Sequence, residues 1–399
     1  MKLLNLFKIL TVNSSAQLLF RISSLILAIA LINNLKVEDF ANFQLIKNAI
    51  GYLLIAMEFG FFHYSNNLYN KDLYKFKSIL YNFIRLRSLI FLFIFPLIIL
   101  YFFLNNFDTK SILLSSFLCF ILIFSYEGFL VSINKNLKLN LILLSKTLLF
   151  LLLILINKNE LTIYKVLNFF IYSVIFSIIL QFLIYLRYED NNVKRLRNGI
   201  FEFALKAKNY LIISLSNHFT IYMGLTMSPF LILKSEVATY AILLLVLEVL
   251  LIPLFQLQKI IMPDYSKKKD NQMIIKSLGL FVIAILTAIL IHYYFGNFLF
   301  NILLSDQYPL DLIIKYVYFL FPIAFLRGLT TMMNVYFYYN DQMLFQRNIS
   351  LITAIFSLFI FIFLGNFLGL YGLILSLFFV ELLFLILSLK FIIKFFSFF

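Results

Sequence analysis

The chain has 399 residues, of which 63% are hydrophobic and 13% are charged, and its mean hydropathy is +0.98. Soluble domains are about half apolar and about a quarter charged, so this composition excludes an ordinary water-soluble fold. The net charge of +15 comes from short basic clusters between apolar runs, and no basic domain large enough to bind nucleic acid is present. Cys119 is the single cysteine, which excludes an intrachain disulfide.

Apolar runs of membrane-spanning length recur along the whole chain. A bilayer core of about 30 Å takes roughly 20 helical residues to cross, and unbroken runs of this length are too long for barrel strands. The predicted spans are 11–33, 41–64, 80–104, 111–133, 138–157, 163–187, 209–233, 237–261, 273–296, 311–337, 346–367 and 369–391. We therefore predict an all-α integral membrane protein with about twelve transmembrane helices.

Basic residues cluster at one set of run ends. With the N-terminus placed in the cytoplasm, the inner connections hold most of the 33 lysines and arginines, in clusters such as 71–87 and 194–208. The outer connections hold few, such as Lys36, Lys110 and Lys158. By the positive-inside rule, this bias predicts that both termini are cytoplasmic.

A short internal similarity divides the chain into halves. The segment 35–43, after the first span, is similar to the segment 233–240, after the seventh span. Parallel repeats of this kind are typical of transporters in which the substrate site lies between two lobes. We predict an N-terminal lobe at 1–193, with helices 1 to 6, and a C-terminal lobe at 194–399, with helices 7 to 12, around a central cavity.

Ionisable side chains inside the predicted spans are the strongest functional signal. Near mid-depth lie Arg21, Lys146, Glu248, Arg327 and Glu381, while Lys47 and Lys315 lie toward the outer face and Glu58 and Glu127 toward the inner face. Each such charge costs about 2.5–3.5 kcal/mol at the bilayer centre, so five of them facing lipid would exceed typical folding stability. We expect them to face an aqueous cavity or one another.

The first helix carries a polar stripe formed by Asn13, Gln17, Arg21 and Ser24. Their spacing places them on one helical face, which predicts that Arg21 points toward a hydrophilic chamber. For small hydroxyl side chains on such stripes, hydrogen bonds between helices are the favoured alternative.

Sequence motifs for catalysis or metal binding are absent. Three scattered histidines and one cysteine make no metal-ligand cluster, and no phosphate-binding GxxxxGK[ST] loop is present. We predict no enzymatic activity, no catalytic residues, no metal and no cofactor.

Several short motifs resemble those of one transporter family. The second span ends in Glu58-Phe59-Gly60, the eighth opens with Val237-Ala238-Thr239-Tyr240, where the usual glycine is Ala238, and Pro263-Asp264-Tyr265-Ser266 follows near its end. The chain resembles the O-antigen type polysaccharide flippases of the multidrug/oligosaccharidyl-lipid/polysaccharide exporter superfamily. The resemblance spans most of the chain.

This resemblance implies the flipping of an undecaprenyl-pyrophosphate-linked oligosaccharide repeat unit across the bacterial inner membrane, by alternating access and at the expense of an ion gradient. The implied partners are that lipid-linked oligosaccharide, membrane lipids and polysaccharide assembly proteins. From their depth in the membrane and their charge, we predict that the substrate-binding cations are Arg21, Lys146, Arg327, Lys47 and Lys315. The residues predicted for ion coupling or charge pairing are Glu248, Glu381 and Glu58.

Three alternatives remain open at the level of sequence. A drug/cation antiporter of the same superfamily would carry an acidic residue in the first span, where this chain has Arg21. The sequence does not distinguish a lipid II-type flippase from a polysaccharide flippase. An O-antigen polymerase or membrane glycosyltransferase would carry a sizeable outer loop, whereas the longest outer connection here, at 297–310, is short.

Overall fold

The computed structural model describes residues 2–58, 76–127, 130, 136–186, 200–268, 271–339 and 342–396. Phe59 and Gly60 of the second-span motif, and the predicted lobe boundary at 193/194, lie outside these ranges. The side chains of Asn13 and of the 263–266 motif also lie outside the description.

Eleven α-helices make up nearly all of the described chain. In chain order they are α1 (Lys2–Asn34), α2 (Val37–Glu58), α3 (Phe76–Leu104), α4 (Thr109–Leu122), α5 (Asn136–Ile156), α6 (Ile163–Leu186), α7 (Ile200–Leu231), α8 (Lys234–Lys268), α9 (Asn271–Leu303), α10 (Leu310–Tyr339) and α11 (Met343–Phe396). One 3-10 turn, Lys158–Glu160, separates α5 from α6, and no strand occurs in the described ranges. The predicted all-α fold class is confirmed.

The long helix α11 is broken near its middle. Gly369 has a φ of 57° and a ψ of −134°, a backbone conformation that glycine adopts without the steric penalty of a Cβ atom. The break falls at the first residue of the last predicted span, 369–391, directly after the predicted span 346–367, so α11 contains two helical segments.

Nine of the described helices carry a stretch long and apolar enough to cross a membrane. The candidate stretch in α11 runs over 46 residues, Met343–Ser388, which is about twice the length that one crossing needs. Helix α4 is too short to count among the nine, and α7, on which the predicted span 209–233 lies, is not among them either. These apolar helices support the prediction of a multi-pass membrane protein. The number of about twelve spans stays a prediction.

The distribution of polar and apolar side chains is that of a protein solvated by lipid. Large apolar side chains point outward, such as Phe93 at 78% and Phe367 at 73% exposure. Polar side chains such as Ser173 and Gln181 are fully buried between helices. A helix in lipid forms all of its backbone hydrogen bonds within itself. Polar side chains that lipid cannot solvate therefore lie between the helices, where they can form hydrogen bonds.

The chain divides into two compact units, Met1–Ser214 and Leu215–Phe399. In the first unit α5 packs against α1 and α6, α2 packs against α3, and α4 packs against α6. In the second unit α10 packs against α8, α9 and α11.

Helix α4 differs from the prediction of an unbroken span at 111–133, because it ends at Leu122. Arg87 of α3 donates hydrogen bonds to the carbonyl oxygens of Ile123, at 3.3 Å, and Ser125. Gln181 of α6 accepts a 2.7 Å hydrogen bond from the Tyr126 backbone N–H. Side chains from two neighbouring helices thus satisfy the backbone groups that the helix end leaves unpaired.

Candidate functional site

A cavity of about 210 Å³ lies in the first unit between α1, α2, α5 and α6. Its polar lining consists of Ser24, Gln44, Lys47, Lys146 and Thr147. The remaining lining side chains are aliphatic or aromatic. Small cavities with a few convergent polar groups in an apolar wall are typical of ligand sites.

Helical periodicity explains why these side chains meet. Helix α1 contributes Phe20, Ser24, Leu27, Ala28 and Leu31, which recur at the three- and four-residue spacing of one helical face. Helices α2 and α5 each contribute two adjacent residues and one residue a turn further along the chain, and α6 contributes a single phenylalanine.

Lys47 and Lys146 are the two cations of this cavity. Lys47 is exposed, whereas Lys146 is half-buried with its Nζ 5.7 Å from the centre of the Phe170 ring, within cation–π range. No carboxylate lines the cavity, and over the described ranges neither lysine forms a salt bridge. Two positive charges without an acidic partner make the cavity suited to a negatively charged group.

The two hydroxyl groups that line the cavity donate their protons to backbone carbonyl oxygens. Ser24 Oγ donates a 2.8 Å hydrogen bond to the Phe20 carbonyl oxygen, and Thr147 Oγ1 donates a 3.0 Å hydrogen bond to the Leu143 carbonyl oxygen. A hydroxyl has one proton, so these two oxygens offer only acceptor lone pairs to the cavity.

The other predicted cations occupy different places. Arg21 is half-buried on α1 and is not among the residues that line the cavity. Lys315 is exposed on α10. Arg327 belongs to the second unit. The structure therefore brings together Lys47 and Lys146 from the predicted set.

Arg327 of α10 pairs with Glu381 of α11 in the second unit. Arg327 Nη1 lies 2.6 Å from Glu381 Oε1, and Thr330 Oγ1 donates a 2.9 Å hydrogen bond to Glu381 Oε2. The two charged side chains are only 16% and 7% exposed. Both carboxylate oxygens have a partner, so this pair compensates its own charge inside the helix bundle.

Glu248 of α8 has a neutral partner. Its carboxylate accepts a hydrogen bond from the hydroxyl of Tyr222 on α7, and the imidazole of His218 lies 4.4 Å from the Tyr222 ring, centre to centre. In the part of the chain that the structure describes, Glu248 forms no salt bridge.

Sequence reasoning missed the burial of Arg87. By its position in the cluster 71–87, Arg87 is predicted to be one of the basic residues at the cytoplasmic ends of the spans, but its side chain is only 3% exposed. The carboxylates of Glu58 and Glu127 lie close enough to interact with its charge. The sequence does contain a signal for this burial. Glu58 and Glu127 lie toward the inner ends of the predicted spans before and after the one that carries Arg87.

No family model matches the sequence, and no curated protein matches it. Solved structures do match. An inward-facing multidrug resistance MATE family transporter of the MOP superfamily has a TM-score of 0.68 at 12% identity, covering 96% of this chain and 98% of its own. The lipid II flippase MurJ, in an inward closed conformation, has a TM-score of 0.75 at 14% identity, covering 95% of this chain and 87% of its own.

A further match is a MOP superfamily transporter from Pyrococcus furiosus noted for the reverse polarity of its binding pocket. Its TM-score is 0.50 at 11% identity, covering 96% of this chain and 93% of its own. Identities this low establish the fold alone. The chain has the fold of the membrane transporters of the MOP superfamily.

Proposed function

We propose that the chain is a flippase that moves an undecaprenyl-pyrophosphate-linked oligosaccharide repeat unit across the bacterial inner membrane. The observation that carries the proposal is that Lys47 and Lys146 line one cavity, with no acidic side chain among its described lining residues. One structural neighbour is a lipid II flippase, and the sequence motifs resemble those of polysaccharide flippases.

The charge of the cavity favours an anionic headgroup. At an effective dielectric constant of about 20, opposite unit charges 4 Å apart attract by about 4 kcal/mol, and like charges repel equally. A pyrophosphate group therefore gains from Lys47 and Lys146, while a cationic drug is repelled. The polyprenyl tail remains in lipid, where its burial costs nothing.

A drug/cation antiporter is the second candidate, because one structural neighbour is a multidrug resistance transporter. Such a function calls for acidic side chains at the substrate site. Among the described residues that line the cavity of the first unit there is no acidic side chain, which favours the flippase.

We further propose that the chain works by alternating access and draws on an ion gradient. Among the acidic residues predicted for coupling, Glu381 is compensated by Arg327, whereas Glu248 is bonded to a neutral tyrosine hydroxyl. We therefore assign the coupling proton or sodium ion to Glu248 before Glu381. Both termini face the cytoplasm, and polysaccharide assembly proteins are the partners that receive the flipped unit.

Cells that lack the chain provide the test. Single lipid-linked repeat units should accumulate on the cytoplasmic face of the inner membrane. Accumulation on the outer face would instead indicate a polymerase, and normal surface polysaccharide with no accumulation would refute the proposal.

A further inference from the structure

We propose that the cavity between α1, α2, α5 and α6 binds a single sugar ring that carries a negatively charged substituent. This inference rests on the proposed function, since it names the part of the substrate that enters the cavity. Three independent properties of the cavity support it: the position of its donors, the position of its acceptors and its size.

The donors define where the negative substituent lies. Lys47 and Lys146 supply ammonium donors, and the amide of Gln44, whose side chain is 6% exposed, adds neutral ones. A charged acceptor group forms stronger hydrogen bonds with ammonium donors than a neutral acceptor does. A phosphate or carboxylate oxygen is therefore the group that these side chains hold best.

The acceptors define a second requirement. Ser24 Oγ and Thr147 Oγ1 give their protons to backbone carbonyls, so toward the cavity they only accept. Inorganic phosphate near neutral pH has at most two protons to donate to them, and a phosphate diester has none. A sugar ring presents several hydroxyl donors, which satisfy these two oxygens while its charged substituent lies against the lysines.

The size of the cavity limits the ligand to about one ring. Its volume of about 210 Å³ lies below the roughly 300–1,000 Å³ of drug-sized sites. The rings of Phe43, Phe150 and Phe170 contact one another along its wall, with centres 5.4–6.3 Å apart. These apolar surfaces suit the C–H face of one sugar, and an entire repeat unit does not fit.

Two parts of a lipid-linked oligosaccharide have this chemistry. One is the glycosyl phosphate where the first sugar joins the carrier, and the other is a carboxylated sugar within the repeat unit. Calorimetric titration of the purified full-length protein in nanodiscs distinguishes them, using glucose 1-phosphate, glucuronate, glucose and inorganic phosphate as probes. We expect glucose 1-phosphate or glucuronate to bind at least about tenfold more tightly than both glucose and phosphate.

Substitutions test the cationic donors and the hydroxyl acceptors of the cavity separately. Lys146→Gln should weaken the sugar anion and phosphate alike. Thr147→Val and Ser24→Ala should each weaken the sugar anion several-fold and inorganic phosphate much less, because they remove only an acceptor and phosphate has fewer hydroxyl donors than a sugar ring. The control is Lys138→Gln, an exposed lysine on the same helix α5 that does not line the cavity.

Phosphate binding as tight as that of the sugar anions, or binding unaffected by Thr147→Val and Ser24→Ala, would overturn the inference. Flipping of a lipid-linked oligosaccharide without any sugar-anion binding would also overturn it and leave the proposed function intact. Sugar-anion binding by a protein that flips no lipid-linked oligosaccharide would refute the proposed function and keep the assignment of the cavity.

Discussion

Arg327 on α10 donates a 2.6 Å hydrogen bond to Glu381 on α11, across 54 positions of sequence. Thr330 bonds the second oxygen of the same carboxylate, so the buried negative charge is fully partnered. The arrangement joins the two helices of the second unit by a charge pair in a place where an unpaired charge would be costly.

Removing the arginine should therefore destabilise the protein more than removing both charges. Arg327→Met leaves Glu381 buried without its cation and should cost about 3–5 kcal/mol, whereas the double variant with Glu381→Leu should recover most of that loss. Unfolding titrations in detergent measure both. Equal losses in the single and the double variant would contradict a compensated pair.

The end of α4 should depend on Arg87. Arg87→Met leaves the carbonyl oxygens of Ile123 and Ser125 without their charged donor, at a cost of about 1.5–3 kcal/mol for each hydrogen bond. We expect faster amide hydrogen exchange at 123–127 in this variant. Arg85→Met is the matched control, because Arg85 is exposed on the same helix. Unchanged exchange at 123–127 in Arg87→Met would show that the guanidinium does not hold the break.

Asp108 should make the stability of α4 depend on pH. Partial burial tends to raise the pKa of Asp108, but hydrogen bonds from Ser111, Tyr164 and the Lys110 backbone outweigh it and lower the pKa below its ordinary value. A carboxyl with a lowered pKa stabilises the fold above its unfolded pKa, about 3.9, and this stability is lost as the pH falls through the folded pKa.

At neutral pH, Asp108→Ala should destabilise the start of α4 by about 1 kcal/mol, because it removes the bond to the Ser111 N–H. Asp108→Asn should retain most of the cap and lose its acid dependence. Hydrogen exchange at the first turn of α4, measured from pH 7 to pH 3, checks both statements. An acid transition that persists in Asp108→Asn would assign it to another group.

Two glycines in the second unit should respond oppositely to alanine. A Cβ atom at Gly328 of α10 would collide with the ring of Phe281, which is 1% exposed and cannot move aside easily, so Gly328→Ala should cost about 1–3 kcal/mol. A Cβ atom at Gly279 of α9 meets nothing within 4 Å, so Gly279→Ala should stabilise its helix by about 0.5–1 kcal/mol. Thermal unfolding in detergent should give shifts of opposite sign, and shifts of the same sign would contradict this packing.

Hydropathy predicted the all-α membrane fold because lipid imposes a length and a composition on every crossing helix. It did not predict the end of α4 at Leu122, since the residues that satisfy the broken backbone lie far away in sequence, at Arg87 and Gln181. Long-range hydrogen bonds leave no mark on a hydropathy profile.

The candidate site was predictable in part for the same reason. The cost of charge inside the membrane predicts Lys47 and Lys146 individually as site residues, whereas for Ser24, in the polar stripe of α1, the sequence favours a structural hydrogen bond. Which charges share a cavity depends on how α1, α2, α5 and α6 pack, and this separates Lys146 from Arg21. Arg327, like Lys146, is a cation near the middle of a predicted span, yet it forms a salt bridge with Glu381.

Transport by the purified protein measures whether flipping depends on the two lysines of the cavity. Reconstituted in proteoliposomes, it should expose an undecaprenyl-pyrophosphate-linked oligosaccharide on the opposite leaflet. The double variant Lys47→Gln/Lys146→Gln should lose most of this activity, while Lys138→Gln retains it. Undiminished flipping by the double variant, or translocation of a cationic drug in place of the lipid-linked sugar, would contradict the account.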